Sequence, residues 1–435
     1  MPDAALLTRW AGDTWRSLDA MTDERTGLPA DWVDDRLDPA TRSRYTSPTN
    51  IGGLLWSTVA ARELGFVQAD ECRQRCAAVL STLDGIERHD GSGQLANWYD
   101  EATGDLLRTF VDGSPVVPFM SSVDNGWLAA GLLVVEGAVP ALAAEARALR
   151  LRMDFAAFHD PEAGPPGPGG RLRGGFWSQD PGQPTVLASY TGGPAVHHTP
   201  HHYDLLNSEP RIASYVGIVA GQVPPEHYAA LSTPLVSYRG RDVVPTFGGS
   251  MFEALMPDLL VPEEEWSPDL WARNHPETVA AQRDWAAEHG WGAWGWSPAA
   301  KPGEGYSEWG VAPVAWTVPG YPSALDDDPV VTPHAAAMAL LHDPAAATSC
   351  LSRLESLGCY GPGGFVDVIG LRSRRTAGRH LVLDQSMVMA ALAHVLTEGA
   401  LRRAFATPEV EGALRPVLAA RGWPAESERM PGRAA

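Results

Sequence analysis

Six times along the chain a polar, turn-prone cluster runs into a stretch that is hydrophobic on nearly every side. The six are TSPTNIGGLLWSTVAARELG from Thr46, SVDNGWLAAGLLVVEGA from Ser122, NSEPRIASYVGIVAG from Asn207, GGSMFEALMPDLL from Gly248, TPHAAAMALLHD from Thr332 and LDQSMVMAALAHVL from Leu383. A helix with no polar face has nothing to present to water, so each stretch predicts a buried helix. Between them lie segments of a second kind, with charged faces and apolar stripes, such as ADECRQRCAAVLSTLDGIERH and NHPETVAAQRDWAAEHG. Their pattern predicts helices with one wet face. Six alternating pairs predict an all-α fold, an (α/α)6 barrel or toroid with six inner and six outer helices. The opening LLTRWAGDTWRSLDAM predicts one extra helix on the outside, followed by a loop, DERTGLPADW.

The polar clusters fall at the N-terminal ends of the inner helices, which share one rim in such a barrel. Free N–H groups and positive dipole ends there favour carboxylates. Asp124, Glu209, Glu253, His334 and Asp384 become candidates to line a common cavity. The connections 91–121, 161–206 and 286–331, rich in Gly, Pro and aromatics, are expected to wall it. Of these only PEAGPPGPGG, from Pro161, reads as flexible. The expected organisation is one catalytic domain over 1–425, with 1–45 as helix and loop packed on the barrel and 426–435 as a flexible tail.

Composition narrows the partners. No window approaches the roughly 20 uninterrupted apolar residues of a membrane span, and Asp3, Arg9, Asp13 and Arg16 interrupt the first helix, so no signal peptide is expected and the location expected is cytoplasmic. A net charge of −20 disfavours nucleic acid and anionic lipid, leaving a neutral partner as the better fit. Lys301 is the sole lysine, which leaves little room for Schiff-base chemistry. Cys72, Cys76, Cys350 and Cys359 have neither disulfide nor zinc spacing and read as reduced structural thiols. Sixteen tryptophans stand out, with Trp291, Trp294, Trp296, Trp309 and Trp316 crowded together. Indoles pack cores, and they also offer platforms to the C–H faces of sugars.

Cleaving a glycosidic bond needs an acid to protonate the leaving oxygen and a second carboxylate to act on water or the anomeric carbon. Glu209, in NSEPRIAS, is the leading acid; burial there raises its pKa while Arg211 and the helix start lower it. Asp124 and Asp384 are the partners, with helix N-capping as their competing reading. Asp100, in NWYD, either positions substrate or forms an Asx turn. Glu253, inside an apolar helix, must be paired or line the cavity. The expected substrate contacts are Asn97, Trp98, Asp100, Asn125, Trp127, Arg211, Glu253, Trp291, Trp296, Tyr306, His334 and Gln385. The run HHTPHHYD, with His197, His198, His201 and His202, lacks the HExxH spacing and reads as a loop that packs or bonds sugar hydroxyls rather than as a metal site. No metal or organic cofactor is expected, and no nucleotide-binding or acyl-transfer motif stands in a fitting context.

Taken in order, TSPTNIG, LANWYDEATG, SSVDNGWLAAGLL, NSEPRIASYVGIVAGQVP, FGGSMFEALMPDLL, GWGAWGWSPA, VVTPHAAAMAL, GCYGPGGFVDVI and LDQSMVMAAL resemble the glycoamylase-like domain family. That family includes the endo-β-1,2-glucanases of glycoside hydrolase family 144 and is similar to the transglycosylation module of cyclic β-1,2-glucan synthases. The resemblance implies an (α/α)6 barrel, a glucan or gluco-oligosaccharide substrate, and an acidic residue at Glu209 with rim aspartates at Asp124 and Asp384. The hydrolases of the family invert the anomeric centre. In the synthase-like branch a glutamate follows a WGIS segment and serves a retaining transfer; here the segment reads WGWSPAA, with Pro298 in that place. The expectation is an inverting β-glucan hydrolase, with β-1,2 the favoured linkage. Its alternatives are a transglycosylase or a hydrolase of another glucan, α-linked ones included, and a non-catalytic carbohydrate-binding protein.

Overall fold

Each polar cluster becomes a helix start because it supplies the missing partners of the first turn. In the computed structural model, which describes residues 3–303, 305–317 and 328–430, Ser47 Oγ accepts from the Asn50 amide at 3.2 Å, Ser121 Oγ from that of Asp124 at 3.2 Å and Ser250 Oγ from that of Glu253 at 3.3 Å. The helices are α1 (Ala4–Met21), α2 (Pro48–Glu63), α3 (Ala69–Gly85), α4 (Ser122–Ala138), α5 (Ala143–Leu151), α6 (Arg211–Val219), α7 (Glu226–Ala230) and α8 (Met251–Leu255). They continue as α9 (Glu263–Trp266), α10 (Trp271–Glu288), α11 (Pro333–Met338), α12 (Pro344–Ser356), α13 (Val382–Leu396), α14 (Ala400–Phe405) and α15 (Pro408–Ala419).

The fold is helix-rich, and the six apolar stretches supply its most buried helices: α2, α4, α6, α8, α11 and α13. Neighbours along this series touch: α2 packs on α4, α4 on α6, α8 on α11, α11 on α13 and α13 back on α2. Between α2 and α4 the approach is close enough to require two glycines. A Cβ on Gly52 would lie 2.5 Å from the Trp127 carbonyl oxygen, and one on Gly131 would lie 2.7 Å from Gly52. From α6 the Arg211 guanidinium reaches the Glu253 and Ala254 carbonyls of α8 at 2.8 and 2.6 Å. Two buried helices are shorter than their apolar pattern: α8 and α11 each pass into a 3₁₀ turn, at Pro257–Leu259 and Ala339–Leu341.

Helix α1 lies directly on α13 and α2, with Trp10 and Leu18 fully buried. One placement differs from the sequence expectation: GALRRAFATPEVEGALRPVLAARG, read as a single outer helix, is split at Thr407–Pro408. Its first half, α14, packs against α4, α2 and α13, and its second, α15, against α6, α7 and α9. Pro408 cannot continue α14 and instead begins α15, with Thr407 as cap.

An all-α reading also missed the connections, which carry short antiparallel strands. Phe119–Ser121, Gly175–Trp177, Ala195–His198 and Val186–Ser189 form a four-stranded sheet in that spatial order, with Phe119 opposite Trp177 and Phe176 opposite His198. Of the HHTPHHYD run, His197 and His198 end a strand of this sheet and His202 and Tyr203 pair with Arg173 and Leu172, while 199–201 form the connection between them. Trp32–Asp34 pairs with Arg379–Leu381, tying the DERTGLPADW segment to the start of α13. Strands of two to four residues are too short to show an alternating period, which is why the pattern hid them. Among the described residues no helix is long and apolar enough to cross a membrane. Of the expected tail, 426–428 form a 3₁₀ turn and Met430 N–H donates to the Leu235 carbonyl, while 431–435 lie outside the described residues. The expected wall 286–331 is described except for 304 and 318–327.

Candidate active site

The starts of α2, α4 and α13 and the turn before α6 converge on a cavity of about 900 Å³. Asp31, Asp124 and Glu209 line it, with Asn50, Trp32, Tyr45, Trp98, Phe110, Tyr203, Tyr306 and Arg379 around them. It is large enough for several sugar rings and mixes flat apolar surfaces with a few polar groups, as small-molecule sites do.

Glu209 sits in a turn ahead of α6. The turn is fixed by Ser208 Oγ donating to the Leu205 carbonyl at 2.8 Å, by Asn207 Nδ2 donating to the Val244 carbonyl at 2.7 Å, and by Arg211 donating to the Ser208 carbonyl at 2.9 Å. Trp127, buried in α4, donates its indole N–H to Glu209 Oε1 at 2.6 Å. Burial pushes the Glu209 carboxyl up to about 8; the charges of Asp124 and Glu253 add to this, while the Trp127 bond and Arg211 oppose it. Burial wins the contest that the sequence left open. Glu209 therefore carries its proton at neutral pH, the state a general acid needs.

Asp124 is the third residue of α4, and Ser121 caps that helix, so its carboxylate is not spent on capping. It accepts instead from Thr49 Oγ1 at 2.7 Å and Asn97 Nδ2 at 3.1 Å. Asn97 thus holds Asp124. Asp384, in the first turn of α13, does not cap either, yet it lies behind the cavity wall at 3% exposure. It is hydrogen-bonded to Asp367, and its Oδ2 lies 3.1 Å from His334 Nδ1. Burial raises Asp384 to about 7 and Asp367 well above the usual carboxylate range; the hydrogen bond between them lowers Asp384 and raises Asp367, so Asp367 keeps the proton of the pair. Burial also lowers His334 to about 4, leaving its ring neutral. His334, Asp367 and Asp384 offer atoms within 4.8 Å of one another, a spacing that could hold a metal ion, as could two groups built on Asp258, one buried and one partly buried. Tyr306 joins these acids. Half exposed to the cavity, its hydroxyl is raised by its enclosure and then by the charges of Asp384, Asp367, Glu209 and Asp31.

Of the expected substrate contacts, Trp98 and Tyr306 line the cavity, Asn97, Trp127 and His334 hold or adjoin its acids, and the rest have partners elsewhere. Asp100 forms the Asx turn, accepting from the Ala102 and Thr103 amides at 2.9 Å. Asn125 is buried and clamps Leu95 and the Ser121 carbonyl, pinning the 91–121 connection to α4. Arg211 is buried against Glu263, at 2.6 and 2.8 Å, and lies over the Trp271 ring. Glu253 accepts from the Phe247 and Gly248 amides and from Ser250 Oγ, and so shapes its own loop. Gln385 bonds the Phe365 carbonyl at 2.8 Å. Trp291 stacks on His289, and Trp296 is fully buried, so neither is a platform facing the cavity. In the histidine run, His202 Nε2 lies 2.9 Å from Asp160 Oδ2.

Sequence reasoning missed Asp31, Tyr45, Asn50 and Asp367. Asp31 lay in a segment read as plain loop, and only its pairing with α13 reveals it. Asp367, in GGFVDVIG, sits between glycine-rich turns with no helix to mark it. Tyr45, Trp98 and Phe110 form an edge-to-face series, with ring centroids 5.3 and 5.7 Å apart, that replaces the expected tryptophan wall.

Residues 201–408 match the family described as "Putative glucoamylase", and residues 9–160 match one described as "Protein of unknown function (DUF3131)". A curated relative, cyclic beta-(1,2)-glucan synthase NdvB of Rhizobium meliloti (strain 1021), is 30% identical over 229 residues. The match covers 48% of this chain and 8% of that protein's length. Among solved structures, an endo-beta-1,2-glucanase from Chitinophaga pinensis, in complex with sophorotriose and glucose, superposes with a TM-score of 0.72 at 16% identity, over 96% of this chain and 98% of that one. A beta-1,2-glucanase from Parabacteroides distasonis gives 0.74 at 16% identity, over 96% and 60% of the two chains. Over nearly all its length the chain has the fold of these proteins, and over residues 201–408 its sequence is similar to the family described as "Putative glucoamylase".

Proposed function

We propose that this chain is a glycoside hydrolase that cleaves β-linked glucan, β-1,2 linkages above others, with inversion. The observation that carries the reading is Glu209: a protonated carboxyl on the wall of a large cavity, held by Trp127 and facing ionisable partners. The proposed architecture is an (α/α)6 barrel acting as one catalytic unit. Helices α2, α4, α6, α8, α11 and α13 form its inner ring, and the cavity opens at their N-terminal ends.

In the proposed reaction Glu209 gives its proton to the departing glycosidic oxygen as the C1–O bond breaks. A water attacks C1 from the opposite side and its proton passes to a carboxylate, Asp124 directly or Asp384 through an intervening hydroxyl; exchange with solvent resets both groups. Tyr306 stands among these acids and fits such a relay. The resemblance to β-1,2-glucanase folds supports the linkage. Against a retaining transferase stands Pro298, followed by Ala299 and the cavity-lining Ala300, where the synthase-like pattern has a glutamate.

The test is reducing-sugar release from β-1,2-, β-1,3-, β-1,4- and α-1,4-glucans by wild type beside Glu209→Gln. One β-glucan should be cleaved with an inverted product, and the variant should lose about a hundredfold or more. No release from any glucan, or an unimpaired variant, refutes the assignment.

A further inference from the structure

Asp31 was expected to be part of a loop, yet its backbone is held at both its N–H and its carbonyl. Its N–H donates to the Tyr45 carbonyl at 2.8 Å and to Ser43 Oγ at 2.9 Å, and its carbonyl accepts from the Val382 amide, the first residue of α13, at 2.9 Å. The strand pairing of Trp32–Asp34 with Arg379–Leu381 follows immediately. The carboxyl is aimed by Asn50, in the first turn of α2, whose Nδ2 donates to Asp31 Oδ1 at 2.8 Å. A segment that only closed off the barrel would have no need to hold an acid in this way at a cavity wall.

Asp384 and Asp367 are shut behind the surface at 3% and 1% exposure, while Asp31 itself lines the cavity. Of the other lining carboxylates, Asp112 is tied to Ser114 at an exposed turn, Asp124, held by Thr49 and Asn97, is a candidate base, and Glu209 is the acid. A carboxylate has about four acceptor sites. With Asn50 on one oxygen and the Tyr45 hydroxyl nearby, Asp31 retains acceptor capacity toward the cavity.

We propose that Asp31 contacts the substrate: its carboxylate accepts a hydrogen bond from a sugar hydroxyl in the cavity, oriented for this by Asn50. The inference rests on the hydrolase reading and adds a binding residue to it. A hydroxyl bonded to a charged acceptor in a sheltered site is worth far more than one left to water, so its loss should weaken binding and turnover together.

Calorimetric titration of sophorotriose and measurement of kcat and KM on linear β-1,2-glucan, for wild type, Glu209→Gln and Asp31→Asn, tests this. Expected is tight binding without turnover in Glu209→Gln, and in Asp31→Asn a tenfold or greater loss of affinity with a matching rise in KM and an unchanged melting temperature. If wild type binds and cleaves while Asp31→Asn binds within twofold of it, the Asp31 assignment alone falls. If wild type neither binds nor cleaves, the hydrolase reading falls and takes Asp31 with it. Should Asp31→Asn fail to fold, Asn50→Ala, which frees the carboxylate from its aim, must weaken sophorotriose binding at least threefold; affinity within twofold overturns the proposal.

Discussion

Glu209 keeps a proton near neutrality because the cost of charging it inside the protein exceeds what one indole and a distant arginine return. Turnover should therefore decline as pH rises through about 8, when the acid is lost. Trp127 stabilises the ionised form, so Trp127→Phe should move that alkaline limb upward and cut kcat about tenfold by loosening the acid. A pH–rate profile of the two proteins reads both effects; a limb that stays put separates Glu209 from the proton transfer. At this scale the sequence was informative where the chemistry is local. Glu209 and Asp124 stood out by residue type and position, and both line the cavity. Trp291 and Trp296 misled, because crowding along the chain counts indoles without saying which way they face. Asp31 and Asp367 stayed hidden because neither is near an apolar period; distant pairings bring them to the site.

Arg211 illustrates what an element can conceal. Two residues from Glu209 in sequence, it points away from the cavity and joins α6 to α8 and α9 through Glu263 and two carbonyls. Breaking a buried pair of this kind leaves an unpaired charge and costs about 3–5 kcal/mol. Arg211→Met should lower the melting temperature by about 3–5 °C, since in a chain of 435 residues about 1 kcal/mol shifts it by about 1 °C. Below its melting point the variant should keep KM within twofold. A large KM change with unaltered stability would restore the substrate-binding role that its sequence position suggested. The helix series itself was legible from the run of apolar positions. The strands between, the splitting of α14 from α15 and the packing of α1 on α13 were not, since they depend on contacts between segments far apart in sequence.

Over the whole molecule, several buried groups shift stability in one direction with pH. His342, held between Asp258 and Glu264, is raised to about 9 despite its burial. Its folded pKa exceeds the unfolded value, so its contribution is complete below about 6.5 and disappears as pH climbs to about 9. Glu209 and Asp384 are also raised, so the folded chain binds more protons than the unfolded one between about 4 and 8. Both effects make melting temperature fall as the solution becomes alkaline. Buried histidines lowered to about 4, His334 among them, oppose this trend only below about pH 6.5, where the unfolded chain takes up their protons. Differential scanning calorimetry from pH 7 to pH 9 should therefore show a decline, and His342→Gln should flatten its upper part. A melting temperature that rises from pH 7 to pH 9 contradicts the protonation states described.

Lys301 follows Ala300 on the cavity wall, is exposed, and is the only lysine in the sequence. A reagent selective for ε-amines would therefore attach a single fluorophore to the chain, beside the mouth of the cavity and a few residues from Tyr306. Its emission would report occupancy of the site in real time, with no residue replaced, and would make substrate entry and product departure visible as separate events.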